Sequence, residues 1–245
     1  MDMSNAPDPA EEAVATLRKL AEIDATRQPE LAAALDNLAD MRTEAGHPEH
    51  ALAAAEEAIT IHRTLAGAEP DAHLPGLATS LNNLGALQTR LDHHEPAVSA
   101  AGEAVELLRR LAADQPDAHL RDLALTLNNL GSALARQGRR KEALAASKEA
   151  IGIYRGLAEI DPETYLPGVA TSLWAYAWVC VTLRANLPGA LQSVNEAISI
   201  LTGLAERTPD LFTEPLFRAY RTLADILDGL GHTDQAAELR GKVSA

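Results

Sequence analysis

Side-chain amides recur along this chain in a register that suits capture of a peptide backbone. Asn37, Asn83 and Asn129 are spaced by 46 residues, and Asn82 and Asn128 stand one position before the last two. An amide offers two donors and an acceptor, so such a row can pair with successive peptide groups of an extended ligand whatever its side chains. Asn is a poor helix-interior residue, and its repetition wants a reason; the competing reason is hydrogen bonding to neighbouring helices or capping of loops. Where Asn128, Asn129 and Ser132 should recur once more, the chain has Trp174, Ala175 and Trp178, its two tryptophans. Spaced i, i+4, they share one helical face and form either an apolar hot spot beside the amides or the bulky core of a degenerate repeat. Charges follow in sequence order: Asp36, Asp40 and Glu44 early, Arg90 and Arg136 in the middle, Arg218 and Arg221 late. An extended partner could be read in direction by that order, although solvated helix faces account for it too.

Other chemistries find little support. His73 and His119 are repeat-equivalent linker residues, and His47, His93 and His232 are repeat-equivalent turn residues. His93-His94 beside Asp92 and Glu95 lacks the ligand spacing of a metal site, and no His-Glu-x-x-His helix, Cys/His cluster, nucleotide loop or nucleophile elbow occurs. The expectation is a non-enzyme with no metal and no cofactor. The formal charge of −14 and pI near 4.9 repel nucleic acid and anionic membranes. The basic run Arg136, Arg139, Arg140 and Lys141 spans one interhelical turn and does not reverse that balance. A single cysteine, Cys180, in an apolar stretch, with no leader peptide and no apolar run of bilayer length, points to the reducing cytosol. Ala richness with few Lys points to a bacterial source.

The elements that carry these residues come from a repeat. Leu20-Ala21, Leu65-Ala66, Leu111-Ala112, Leu157-Ala158 and Leu204-Ala205 recur at spacings of 45, 46, 46 and 47 residues. Each unit reads as linker, helix, turn, helix: Pro70-Asp71-Ala72-His73-Leu74 matches Pro116-Asp117-Ala118-His119-Leu120 as a linker of about five residues, followed by Leu81 to Gly85 against Leu127 to Gly131. Leu123, Leu127, Leu130 and Leu134 fall on one helical face. Gly46-His47-Pro48 and Gly138-Arg139 signal the turns, and Pro48 and Pro96 suit the first turn of a helix. Small residues mark close helix approach in three columns: Ala51, Ala97, Ala143, Ala190 and Ala236; Ala58, Ala104, Ala150 and Ala197; and Ala39, Gly85, Gly131, Ala177 and Ala224.

These residues resemble the tetratricopeptide repeat, whose pattern sets a large residue, then Leu-Gly, then two Ala positions across a helical hairpin; Leu127, Leu130-Gly131, Leu134, Ala143, Ser147 and Ala150 carry the match. The period near 46, against about 34 for the common repeat, and the Asn-Asn-Leu-Gly string are similar to the long-period subclass of kinesin light chains. The resemblance implies an all-α, right-handed superhelical solenoid of antiparallel helix hairpins. It also implies that the first helix of each hairpin lines a concave groove, with Asn37, Asn82, Asn83, Asn128 and Asn129 facing it. Thr79, Leu125 and Thr171 stand where the family's carboxylate clamp needs a cation, so capture of a Glu-Glu-Val-Asp type tail is not expected. Residues 1–9 read as a disordered lead and 10–245 as one array: a capping half-repeat at 10–24, where Glu11 to Asp24 aligns with Lys148 to Asp161, then units near 25–66, 67–112, 113–158, 159–205 and 206–245. The expected function is a cytoplasmic scaffold binding a protein or peptide in the groove, with Trp174 and Trp178 as anchors and Arg90, Arg136, Arg218 and Arg221 as charged contacts. The alternatives are an assembly segment of a larger signalling protein, forming a homo-oligomer through the C-terminal helix around Leu239 and Val243, or an accessory small-molecule binder with a closed Trp-lined pocket.

Overall fold

The computed structural model describes residues 9–243, so residues 1–8 of the expected lead lie outside it. Two compact units divide the chain after Asp114. The first holds α1 (Pro9–Ile23), a 3-10 turn (Ala25–Arg27), α2 (Gln28–Glu44), α3 (Pro48–Ala68), α4 (Pro70–Arg90) and α5 (His94–Asp114). The second holds α6 (Pro116–Arg136), α7 (Arg140–Ile160), α8 (Pro162–Thr182), α9 (Leu187–Arg207), α10 (Pro209–Gly229) and α11 (Thr233–Val243). No strand occurs among the described residues. In each unit consecutive helices pack as antiparallel hairpins, α2/α3 and α4/α5 in the first, α6/α7, α8/α9 and α10/α11 in the second. The first helices also touch one another directly, α2 on α4, and α6 on α8 on α10.

The long period is absorbed by helix length. Helices α4 to α10 each have 21 residues, and a single extended residue joins one hairpin to the next within a unit: Glu69 (φ −133°), Asp161 (φ −136°) or Thr208 (φ −142°). The five-residue linker expected at Pro70–Leu74 and Pro116–Leu120 is therefore the first turn of α4 and of α6, and His73 and His119 are helical. The reason is proline: its fixed φ and missing N–H cost nothing at the first helical position, so Pro70, Pro116, Pro162 and Pro209 start helices immediately.

The turn inside each hairpin is set by one backbone column. Gly46, Asp92, Gly138, Arg184 and Gly231 all adopt positive φ, between 46° and 86°. The residue after each returns an N–H to the carbonyl five positions back, as in His47 to Arg42 (2.9 Å) and Arg139 to Leu134 (2.9 Å). This is the left-handed closure that caps the last carbonyls of a helix, and it is strained for Arg184, which has a Cβ.

The core is thin and made by close approach. Ala51, Ala97, Ala143, Ala190 and Ala236 are fully buried, as are Ala58, Ala104, Ala150 and Ala197, while Leu35 and Leu81 in the first unit and Leu127 and Leu173 in the second are among the largest buried side chains. Each such Leu supplies about 1.5–3 kcal/mol of burial. A Cβ on Gly131 would stand 2.6 Å from the Ser147 hydroxyl, so glycine there fixes the spacing between α6 and α7. Bulk is likewise matched across hairpins: the Tyr154 ring occupies the space that a Cβ on Gly168 would need, 2.3 Å away, and His62 sits against Gly76 at 3.1 Å.

Candidate functional site

The candidate residues lie on the first helices, and helical rotation sorts them into two kinds. Asn82 and Asn128 are buried, 8% and 5% exposed. Asn128 donates Nδ2 to the fully buried Ser172 hydroxyl at 2.8 Å, joining α6 to α8, while its Oδ1 is buried without a hydrogen-bond partner. Asn82 donates to Asn83 Oδ1 at 3.3 Å. Against the expectation that all five amides face a groove, these two serve packing. One residue further on, about 100° round the helix, Asn37 is exposed and Asn83 and Asn129 are half-buried.

In the first unit, Asp36 occupies the buried Asn register. Its Oδ2 accepts from Ser80 Oγ of α4 (2.8 Å) and meets His62 Nε2 of α3 at 3.0 Å. Asp36, Asp40, Asn83 and Arg90 bound a cavity of about 170 Å³ between α2 and α4. Burial pushes the Asp40 carboxyl above its ordinary range, and the charges of Asp36 and Glu44 push it further. Arg90 donates to the Thr43 carbonyl (3.1 Å), closing the last turn of α2.

In the second unit, each tryptophan stacks with a guanidinium. Arg136 of α6 lies 5.5 Å from the Trp178 ring centre and Arg218 of α10 lies 5.4 Å from that of Trp174. Trp174 Nε1 donates to Thr222 Oγ1 of α10 at 3.0 Å. Trp174 thus takes over from Asn128 the link between one first helix and the next, using an indole N–H in place of an amide. Both rings are half-buried, each covered partly by an arginine that keeps its polar edge in water. Arg221 pairs with Glu214 at 3.3 Å on the surface. The basic run is broken up: Arg136 faces Trp178 while Arg139 pairs with Glu142.

Ser80, Ser172, Thr222 and His62 complete this architecture and were not singled out by sequence. The small hydroxyls of Ser80, Thr126 and Ser172, two residues before each first-Asn position, were the available signal. Leu239 of α11 is half-buried, and the Val243 side chain lies outside the described residues. Among the described residues no helix is long and apolar enough to cross a membrane.

A tetratricopeptide-repeat family model matches residues 31–73 and 123–161, and a model for anaphase-promoting complex subunit 5 matches residues 67–120. No curated protein matches the chain. Among solved structures, BtubC (BKLC) from P. vanneervenii superposes with a TM-score of 0.70 at 18% identity, covering 96% of this chain and 87% of that one. A Podosopora anserina kinesin-light-chain protein with nearly identical TPR-like repeats gives 0.57 at 18% identity, over 86% and 92% of the two chains. MamA from Desulfovibrio magneticus RS-1 gives 0.51 at 16% identity, over 87% and 93%. At these identities the likeness is one of fold.

Proposed function

We propose that this chain, a tetratricopeptide-repeat protein of the kinesin-light-chain-like kind and as such a protein-interaction scaffold, captures an extended or helical segment of a partner protein on its first helices. The observation that carries this reading is the pair of half-buried tryptophans of α8, each stacked with an arginine from a neighbouring first helix. Such a surface offers apolar area that is already ordered, so little side-chain entropy is lost when a ligand covers it. Asn37, Asn83 and Asn129 hold backbone groups of the partner, and Trp174 and Trp178 anchor an apolar side chain. Arg90, Arg136, Arg218 and Arg221 favour acidic positions, while Asp40 favours a basic one. Asn82 and Asn128 support the face from beneath. The scaffold performs no chemistry of its own and works in the cytoplasm.

Both tryptophans lie on this face, so intrinsic fluorescence reads its occupation directly. Affinity capture from lysate, followed by peptide-array mapping and fluorescence titration of the retained segment, tests the proposal. Trp178→Ala should weaken the segment by about 1–3 kcal/mol at unchanged helicity. Identical partners and affinities for wild type and an Asn83→Ala/Asn129→Ala/Trp178→Ala variant would move binding off this face.

A further inference from the structure

Within each unit the second helices line cavities that the proposed partner contacts do not use. Three occupy equivalent repeat positions: about 310 Å³ among α1, α2 and α3, about 340 Å³ among α3, α4 and α5, and about 410 Å³ among α7, α8 and α9. Each has the same ion pair on its rim, Arg18 with Glu57, Arg63 with Glu103, and Arg155 with Glu196. Because the repeat supplies the same scaffold each time, differences in lining show what one cavity has and the others lack. Glu11 and Glu56 of the first two give way to Lys148 in the third, and Leu38 and Leu84 give way to Tyr176. The small residues Ala53 and Ser99 are replaced by Gln192, and Ala54 and Ala100 by Ser193.

Glu11 of the first cavity is paired with Arg42, so that lining is neutral, and the second lining is net negative; the third is net positive within a chain of net charge −14. Arg155 is neutralised by Glu196, whose two oxygens both lie 2.7 Å from its Nη2. Lys148 Nζ lies over the Tyr176 ring, 6.0 Å from its centre, and no carboxylate pairs with it among the described residues. The ring is fixed in turn, because Asn186, held at φ 48°, donates Nδ2 to the Tyr176 hydroxyl oxygen at 2.8 Å. Gly189 leaves the room that this amide occupies, since a Cβ there would stand 2.3 Å from Nδ2. A volume of about 410 Å³ is in the range of small-molecule sites.

We propose that the cavity among α7, α8 and α9 binds a small organic anion with an apolar body. The anionic head sits against Lys148 Nζ, the Gln192 amide and the Ser193 hydroxyl, and the body lies over Ile151, Leu173 and the Tyr176 ring. The full chain would be titrated calorimetrically with naphthoate, with naphthyl phosphate as a second anion and naphthylmethanol as the neutral isostere. Two variants separate charge from space. Lys148→Glu restores the residue that the repeat carries at Glu56, and Gly152→Leu fills the cavity from a position where an added Cβ meets nothing within 4 Å. The expected result is saturable binding of the anions, weakened about tenfold or more in the alcohol and in Lys148→Glu, and lost in Gly152→Leu, at unchanged helicity. No saturable binding, an alcohol that matches naphthoate, or equal affinity in either variant would overturn the assignment. Trp178→Ala should leave naphthoate binding unchanged, which keeps this test independent of the partner face.

Discussion

Truncating Asn128 should weaken the fold, whereas truncating Asn37, which stands in the register one residue on, should not. In Asn128→Ala the 2.8 Å bond to Ser172 disappears and a fully buried hydroxyl loses its donor; together these cost about 2 kcal/mol. The vacated amide volume adds about 1 kcal/mol. Two gains oppose this: removal of an Oδ1 that is buried without a partner returns about 1 kcal/mol, and alanine in a helix interior returns about 0.5 kcal/mol. The net is a loss of about 1.5 kcal/mol. Asn37 is exposed, so Asn37→Ala should stay within about 0.5 kcal/mol of wild type. Urea unfolding followed by circular dichroism measures both variants, and tryptophan fluorescence reports the neighbourhood of α8, where Ser172 lies. Ser172→Ala completes a double-mutant cycle whose expected coupling is about 1 kcal/mol. Equal stabilities for Asn37→Ala and Asn128→Ala, or a coupling indistinguishable from zero, would refute the assignment of the buried amide as a link between first helices.

Arg184→Gly should stabilise the chain by about 1 kcal/mol, because it removes a Cβ from a left-handed turn position, and Gly138→Ala should cost about as much; thermal unfolding compares the two. Gly168→Ala forces its Cβ against the Tyr154 ring and should cost about 1–3 kcal/mol, with Tyr154→Leu, the residue found at the equivalent Leu108, restoring most of the loss. Asp40 has a carboxyl raised above its ordinary 3.8 by burial and by its acidic neighbours, so the folded state holds its proton more tightly than the unfolded state does. Its contribution to stability is complete below the ordinary value and is lost as pH rises through the raised one. Asp40→Asn should therefore stabilise at neutral pH, and its advantage should vanish on acidification below that value, as urea midpoints across pH would show. Asp161 behaves oppositely. Thr164, through its hydroxyl and backbone N–H, holds this carboxyl below its ordinary range, so its contribution is present above that range and falls away in acid. Asp161→Ala should lower stability at neutral pH and become neutral in acid.

Periodicity alone located the hairpins, because each small column lands on a buried contact: Ala51, Ala97, Ala143, Ala190 and Ala236 are all fully buried. The five-residue link was misjudged at Pro70–Leu74 because proline and Asp read equally as loop residues and as the first turn of a helix, and only packing decides between them. The turn column was visible where it is glycine, at Gly46 and Gly138, and hidden where Asp92 and Arg184 adopt the same conformation.

The candidate face was harder to read, because a repeat preserves a geometric role and not a residue type. Three different side chains link successive first helices: Asp36 accepts from Ser80, Asn128 donates to Ser172, and Trp174 donates to Thr222. All three satisfy a hydroxyl between packed helices, so an amide could become a carboxylate or an indole without leaving that hydroxyl unmet. In sequence the third exchange looks like the loss of the Asn pattern. In the structure the same exchange keeps the link and brings an aromatic surface to the face where Arg136 and Arg218 stack. Trp174→Phe isolates the two roles, since it keeps the ring and removes the N–H. It should cost about 1 kcal/mol of stability while leaving Arg218 its stacking partner, and partner affinity should change less than in Trp178→Ala. A Phe variant as stable as wild type would mean that Trp174 is held by stacking alone.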